Sequence, residues 1–377
     1  MTAEAGANEL GATRRSERIS NLDVVRGVAV LGILTMNVGS FFLPIEAYSN
    51  ISLPASQSAF DWIVGAVGVV FFDQKFMGLF SMLFGAGIVL FADRAAARGR
   101  HVIRLSLWRN LLLFFIGLAH ALVWDGDVLM LYALCSPFVL LVRRWSTTAV
   151  FSLGVAILLF IPLVSLLVQS TVPESGAGLA EHWGVPGTMS NEVLLWVLLD
   201  AFGRALGMMF IGVAAYRSGF ITGRWEPSRY RVAIAWNLPL GIGLGIIGVA
   251  WMAWHDYSAG VALAGSIPKT LGTLPMVAAY VSIISLWHLR AAGKPLDERL
   301  AAVGRMALTN YLSQTLIMTA LAATLLADAS LGRLALVGLV VAVWLLQLWW
   351  SKAWLDRFRQ GPVEWLWRAA TYRTLRA

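Results

Sequence analysis

The first side chains with chemistry to offer are Asp23, Arg26 and Asn37, in the stretch LDVVRGVAVLGILTMNVGSF (22–41). Asp23 and Arg26 stand one helical turn apart, a spacing that lets them pair on one face. A guanidinium also suits phosphate, because its planar fork makes two parallel hydrogen bonds. Asn37 follows eleven residues after Arg26, close to three turns and about 16 Å along a helix axis, so all three look out from nearly one face. An ion pair at a helix end is as often an anchor as a ligand site. The shared face with Asn37 points instead to the lining of a polar crevice.

A second group lies in GLAHALVWDGDVLMLY (117–132), where His120 precedes Asp125 and Asp127. A histidine oriented by a carboxylate is a common general base. Lys75, in FFDQKF (71–76), is expected at the same depth. The sequence thus predicts an outer cluster of Asn37, Lys75, His120, Asp125 and Asp127, with His120, Asp125, Asp127 and Asn37 as its catalytic members. Arg109, Arg305, Asn310 and Gln314 approach Arg26 in depth and form, with Asp23, an inner cluster able to bind an anionic substrate. Lys75 is assigned to substrate as well. Asp200 and Arg204, four residues apart, read as an intramembrane ion pair. The His and carboxylate spacing matches no zinc pattern, so no metal is expected.

The elements that must position these groups are membrane helices. Of 377 residues 58% are hydrophobic and only 13% charged, where a soluble chain holds about 25% charged residues. The mean hydropathy is +0.72. Apolar blocks long enough to cross a hydrocarbon core of about 30 Å predict an all-α polytopic membrane protein of about ten spans: 22–42, 76–93, 105–123, 128–142, 147–170, 193–216, 232–255, 270–288, 306–327 and 334–351. The net charge of +8 does not point to nucleic acid, because the basic residues fall in short connections between the blocks. Arg94 to Arg104, Arg143 and Arg144, Arg217 to Arg231, Arg290 to Arg305 and the C-terminal tail through Arg376 all fall on one side. Lys75, Lys269 and Arg333 fall on the other. That bias predicts both termini in the cytoplasm.

The organisation reads as a flexible cytoplasmic tail (1–20), an N-terminal half carrying the polar motifs (21–170), an extracytoplasmic loop (171–192), a C-terminal half (193–351) and an amphipathic cytoplasmic tail (352–377). Residues 59–72 are apolar but short, and making them a span would put the Arg94–Arg104 cluster outside. They are expected to be re-entrant or interfacial. The Gly-, Ser- and Pro-rich loop could be a lid, but a plain linker is the expectation. The single cysteine, Cys135, rules out a disulfide framework.

The segments LDVVRGVAVLGILTMNV, KFMGLFSMLFGAG, GLAHALVWDGDVLMLYAL, MMFIGVAAYRSGF, GRMALTNYLSQTLI and DRFRQGPVEWLWR together resemble the DUF418 (YeiB-like) family of bacterial membrane proteins, from about residue 20 to 375. The resemblance implies the cytoplasmic membrane of a bacterium. A more distant similarity is to transmembrane acyltransferases, the acyltransferase-3 and heparan acetyltransferase groups, which implies transfer of acetyl groups from cytoplasmic acetyl-CoA to an acceptor on the far side. In the first of these groups an arginine is followed after ten residues by a histidine. Here Arg26 takes the arginine position and Asn37 stands where the histidine would be, so His120 is left as the expected base.

Two functions follow, with a third held open. As an acyl-CoA-dependent enzyme, the chain would hold the donor's phosphates with Arg26 and Arg109 or Arg305, and use His120 on a small-molecule, lipid or glycan acceptor. Asn37 would bind the thioester oxygen. As a transporter, the same polar column would be a path with protonatable gates, although no repeat between the halves is visible. A non-catalytic receptor or scaffold is the third. Membrane lipids are expected partners, and the chain is compatible with a homodimer.

Overall fold

The structure, a computed structural model, describes residues 19–54, 58–327 and 329–373. The expected N-terminal tail through Arg18 and the terminal Arg376 lie outside these residues. The architecture is all-helical. In chain order the principal helices are α1 (Ser20–Asn37), α2 (Ala59–Val67), α3 (Lys75–Ala97), α4 (Val102–Ala121), α5 (Leu129–Val142), α6 (Thr147–Gln169), α7 (Asn191–Arg217), α8 (Pro227–Trp254), α9 (Thr273–Ala291), α10 (Pro295–Arg305), α11 (Ala307–Ala323), α12 (Arg333–Arg357) and α13 (Pro362–Arg373).

Among the described residues eight helical segments, not ten, are by themselves long and apolar enough to cross a membrane. Each of the eight corresponds to an expected span. The two that fall short are α5, with 14 residues, and α11, with 17. The second starts where expected, after a bend at Met306 (φ −109°, ψ 30°) that separates it from the polar helix α10, and stops early at Thr324 (φ −128°, ψ −87°).

The eight form two rings. The segments containing α1, α3, α7 and α9 bury 56–61% of their most apolar windows, whereas α4, α6, α8 and α12 bury only 17–33% and face outward. Leu79, Met208 and Val277 fill the centre. Helices from the two halves interleave there, α1 packing on α10 and α3 on both α7 and α9. Small residues make the closest crossing possible. A Cβ on Gly304 would lie 1.9 Å from the Asp23 carbonyl oxygen, and one on Gly27 would lie 2.0 Å from that of Leu300.

Segment 59–72 is helical. A capping box between Ser58 and Asp61 starts α2, and the other Asp61 oxygen accepts from the Leu334 amide at 2.8 Å, so one carboxylate also caps α12. A π-turn (Gly68–Phe72) follows. The helix then breaks at Asp73–Gln74, where Gln74 takes φ 61°. Fourteen residues at 1.5 Å each give about 21 Å, less than a full crossing.

The 171–192 loop corrects the linker expectation. Leu179 and Trp183 are buried in a satellite core with Val193, Trp196 and Met252. The Trp183 indole donates to the Tyr257 carbonyl at 2.8 Å, and Asn50 donates to the Trp183 carbonyl at 3.1 Å. A Gly- and Ser-rich composition conceals two large apolar side chains that need cover.

Gly304→Ala is predicted to lower stability by about 1–3 kcal/mol, because the added methyl has only α1 backbone to meet; a fall in thermal midpoint of the purified protein measures it. The loop gives a second expectation. Burial, then the charges of Lys269 and Arg204, push the His182 imidazole down to about 4. The unfolded chain takes up this proton near pH 6.5. Stability contributed by neutral His182 is therefore complete above that pH and declines as pH falls toward 4, by roughly 1–3 kcal/mol. Thermal midpoints across this window should fall in the wild type and flatten in His182→Gln.

Candidate functional site

Arginines of α1, α3, α4 and the C-terminal region converge on one cavity. It has a volume of about 410 Å³ and is lined by Arg26, Arg94, Arg98, Arg100, Arg109, Arg305, Arg359 and Arg368, against only two acids, Asp23 and Glu364. Of the expected inner cluster, Asp23, Arg26, Arg109 and Arg305 are brought together here. Arg26 pairs with Asp23 at 3.1 Å. Arg109 lies between aromatic faces, 3.7 Å from the Trp367 ring centroid and 4.6 Å from that of Phe91. A cation so placed gains from ring quadrupoles what it lacks in counter-ions.

One wall of the cavity is α13, which folds back from the end of α12. Glu364 docks it. One carboxylate oxygen accepts from the Leu308 and Thr309 amides at 2.7 and 3.0 Å, and the other from the Thr309 hydroxyl at 2.5 Å. Those amides belong to the first turn of α11, which has no partners within its own helix, so Glu364 acts as a cap supplied from another helix. Burial raises its pKa, opposed by the Thr309 hydrogen bonds. Trp367 adds a bond from its indole to the Arg109 carbonyl at 2.9 Å. Sequence reasoning did not single out Glu364. Its signal was GPVEWLWR, an acid among aromatics just beyond an apolar span.

Leu129 and Tyr311 also line the cavity, and the Tyr311 ring packs on His120, which does not line it. Their ring centroids are 5.1 Å apart. His120 is buried at the end of α4, with Nδ1 2.7 Å from Asp127 Oδ1 and Nε2 2.9 Å from the Thr315 hydroxyl. An ionised Asp127 requires the proton on Nδ1, which leaves Nε2 to accept from Thr315. Asp127 is held in turn, its second oxygen accepting from the Met130 amide at 2.9 Å in the first turn of α5. Gly117 permits this approach, since a Cβ there would meet that oxygen at 2.8 Å. The group has the order carboxylate, imidazole, hydroxyl, which can move a proton away from a nucleophile. Thr315 was not anticipated, because nothing in its sequence neighbourhood distinguishes it from a helix-packing threonine.

The rest of the expected outer cluster is dispersed. Asp125 is exposed on the turn beyond α4 and takes no part in the His120 network. Lys75 is fully buried at the first turn of α3, where Nζ donates to the Val69 carbonyl at 2.6 Å. The break at Asp73–Gln74 turns it toward a separate set of charges, the Asp73–Lys269 pair at 2.6 Å and the Arg204 side chain. Asp200 and Arg204 do form the expected ion pair. Asn37 lies near His120 only through intermediaries. Its carbonyl accepts from Ser40, and the Ser40 hydroxyl accepts from the Trp124 indole at 3.0 Å. Trp124 in turn meets the His120 ring edge-on at 5.9 Å.

Two further corrections concern α1 and α11. The α1 face joining Arg26 to Asn37 is not a continuous crevice. Val30 and Leu34 lie between them on that face, both 1% exposed, packed against Val303 and Met318 respectively. Asn310 and Gln314, assigned to substrate from sequence, do not line the cavity. Asn310 donates to Ser351 and Val303 and accepts from the Trp350 indole, while Gln314 donates to Gln347 and the Val30 carbonyl. They join α1, α11 and α12. A second unforeseen set, His288 with Asp297 at 2.6 Å and Ser20 at 3.0 Å, ties the ends of α9, α10 and α1 together.

Known proteins bear on this geometry. The family model "Protein of unknown function (DUF418)" matches residues 215–374. The uncharacterized protein YeiB of Escherichia coli (strain K12) is 35% identical, over 95% of this chain and 97% of its own. The uncharacterized protein YxaH of Bacillus subtilis (strain 168) is 30% identical, over 97% of each. No solved structure matches the chain significantly. With eight segments among the described residues long and apolar enough to cross a membrane, and relatives similar from end to end, the chain is a multi-span membrane protein and belongs to the DUF418 family.

Proposed function

We propose that the protein is a membrane acyltransferase that takes its acyl group from a phosphate-bearing thioester of the acyl-CoA type. The observation that carries this reading is the adjacency of two unlike sites. Tyr311 lines an eight-arginine cavity, and its ring rests on a histidine already oriented by a carboxylate. The arginines suit the phosphates of the donor. With both termini in the cytoplasm of a bacterium the cavity opens inward, where such thioesters are made. Residues 59–72 are then a re-entrant segment on the outer side.

In this reading an acceptor hydroxyl or amine displaces Thr315 from His120 Nε2. The imidazole takes its proton as the acceptor attacks the thioester carbonyl, and Asp127 stabilises the resulting imidazolium. A new C–O or C–N bond forms, the C–S bond breaks, and the proton passes to the departing thiolate. The Tyr311 ring must swing aside for donor and base to meet.

Transport of a small solute is the second reading. Buried charges outside the proposed reaction favour it, namely Lys75, Asp73–Lys269 and Asp200–Arg204. Uptake into proteoliposomes with no acyl donor present would support transport and count against transfer.

Release of free thiol from acetyl-CoA by the reconstituted protein, with hydroxylamine as surrogate acceptor, tests the enzymatic reading. His120→Ala and Asp127→Asn should each lower the rate by roughly 10²–10⁴-fold and leave donor binding intact. Asp125→Asn should stay within about twofold of wild type. Undiminished thiol release in His120→Ala would refute the assignment.

A further inference from the structure

Helix α4 also borders a second cavity, which shares Arg100 and Asn110 with the arginine cavity. A groove of about 1290 Å³ runs between α4 and α5, with Arg104, Arg143 and Arg144 around its mouth, Arg100 beside them and no acidic residue among those lining it. Below the mouth the walls are apolar. Leu107, Leu111 and Leu134 line the groove and are each at least 40% exposed. The side chains of Arg104, Arg143 and Arg144 have no ion-pair or hydrogen-bond partner among the described residues. Three unpaired cations above an open apolar trough match, in order and in depth, a phosphate headgroup above its acyl chains.

Helix geometry explains why one headgroup could meet all three arginines. Helix α5 begins against Gly117 of α4, where an added Cβ would lie 2.7 Å from the Met130 amide nitrogen. At about 1.5 Å per residue its 14 residues run back along α4 to the level of Arg104. Arg104, Arg143 and Arg144 therefore share one depth, at the end of the groove. The volume exceeds the roughly 300–1,000 Å³ of small-ligand pockets, as a two-chain lipid requires. We infer that the α4–α5 groove binds one anionic diacyl phospholipid, its phosphate held by Arg104, Arg143 and Arg144 and its chains along Leu107, Leu111 and Leu134. This inference is independent of the acyl-transfer reading.

Native mass spectrometry of the full chain in detergent, titrated with phosphatidylglycerol and separately with phosphatidylcholine, tests it. The wild type should retain one phosphatidylglycerol at least about tenfold more tightly than phosphatidylcholine. The combined change Arg104→Gln, Arg143→Gln and Arg144→Gln should remove that preference. Leu134→Trp, which fills the trough without altering charge, should weaken phosphatidylglycerol by at least about tenfold, and it serves if the triple variant does not fold. Equal retention of the two lipids by the wild type overturns the inference. So does undiminished retention in Leu134→Trp, which would mean surface charge alone. A photo-crosslinker at Leu134 that captures a second copy of the chain instead of lipid also overturns it, because the groove would then be a dimer interface.

Discussion

Guanidinium groups repel one another, and eight of them share a cavity of about 410 Å³ with two carboxylates. The rest of the structure can be understood from that constraint. Like charges at such density are tolerated only with water, π-faces or an anion among them. The protein supplies the π-faces, placing Arg109 between Phe91 and Trp367 and setting Arg100 and Arg368 over Tyr372. Two of those rings, Trp367 and Tyr372, belong to α13, so the C-terminal helix is part of the site. Glu364 holds that helix to the first turn of α11. The tight α1–α10 crossing at Gly27 and Gly304 sets the positions of Asp23, Arg26 and Arg305.

Polar groups within the bundle fall into two kinds. Asn310, Gln314, Gln347 and Ser351 satisfy one another and nearby carbonyls, which makes them joints between helices. The sequence of carboxylate, imidazole and hydroxyl occurs twice, at Asp127–His120–Thr315 and at Asp297–His288–Ser20. Internal geometry does not separate them. Surroundings do, because His288 closes a junction of three helix ends whereas His120 lies behind the wall of a cation-lined cavity. The functional weight placed on His120 therefore rests on Tyr311, the residue that belongs to both places.

The spans were legible because an apolar block long enough to cross a bilayer has few alternatives, and eight segments appear where hydropathy puts them. The inner cluster was legible too, since Arg26, Arg109 and Arg305 all lie at helix ends on one side. What failed was lateral position. Depth alone put Lys75 beside His120, but the break at Gln74 sent it toward Asp73 and Lys269. The DGD turn just beyond His120 suggested Asp125 and Asp127 as alternatives, and only the start of α5 decides that Asp127 turns inward. The face shared by Arg26 and Asn37 was real as periodicity, yet Val30 and Leu34 pack solid between them. Thr315 and Glu364 act through partners 195 and 55 or more residues away; GPVEWLWR marks Glu364 as unusual, but neither neighbourhood identifies the partner.

The measurement that bears most directly on the central claim is equilibrium binding of coenzyme A to the purified protein, set against pantetheine, which has the same thiol arm and none of the phosphates. If the arginine cavity is a donor site, coenzyme A binds saturably and more weakly as salt rises, while pantetheine does not compete. Absence of saturable coenzyme A binding, or equal binding of pantetheine, would contradict the account.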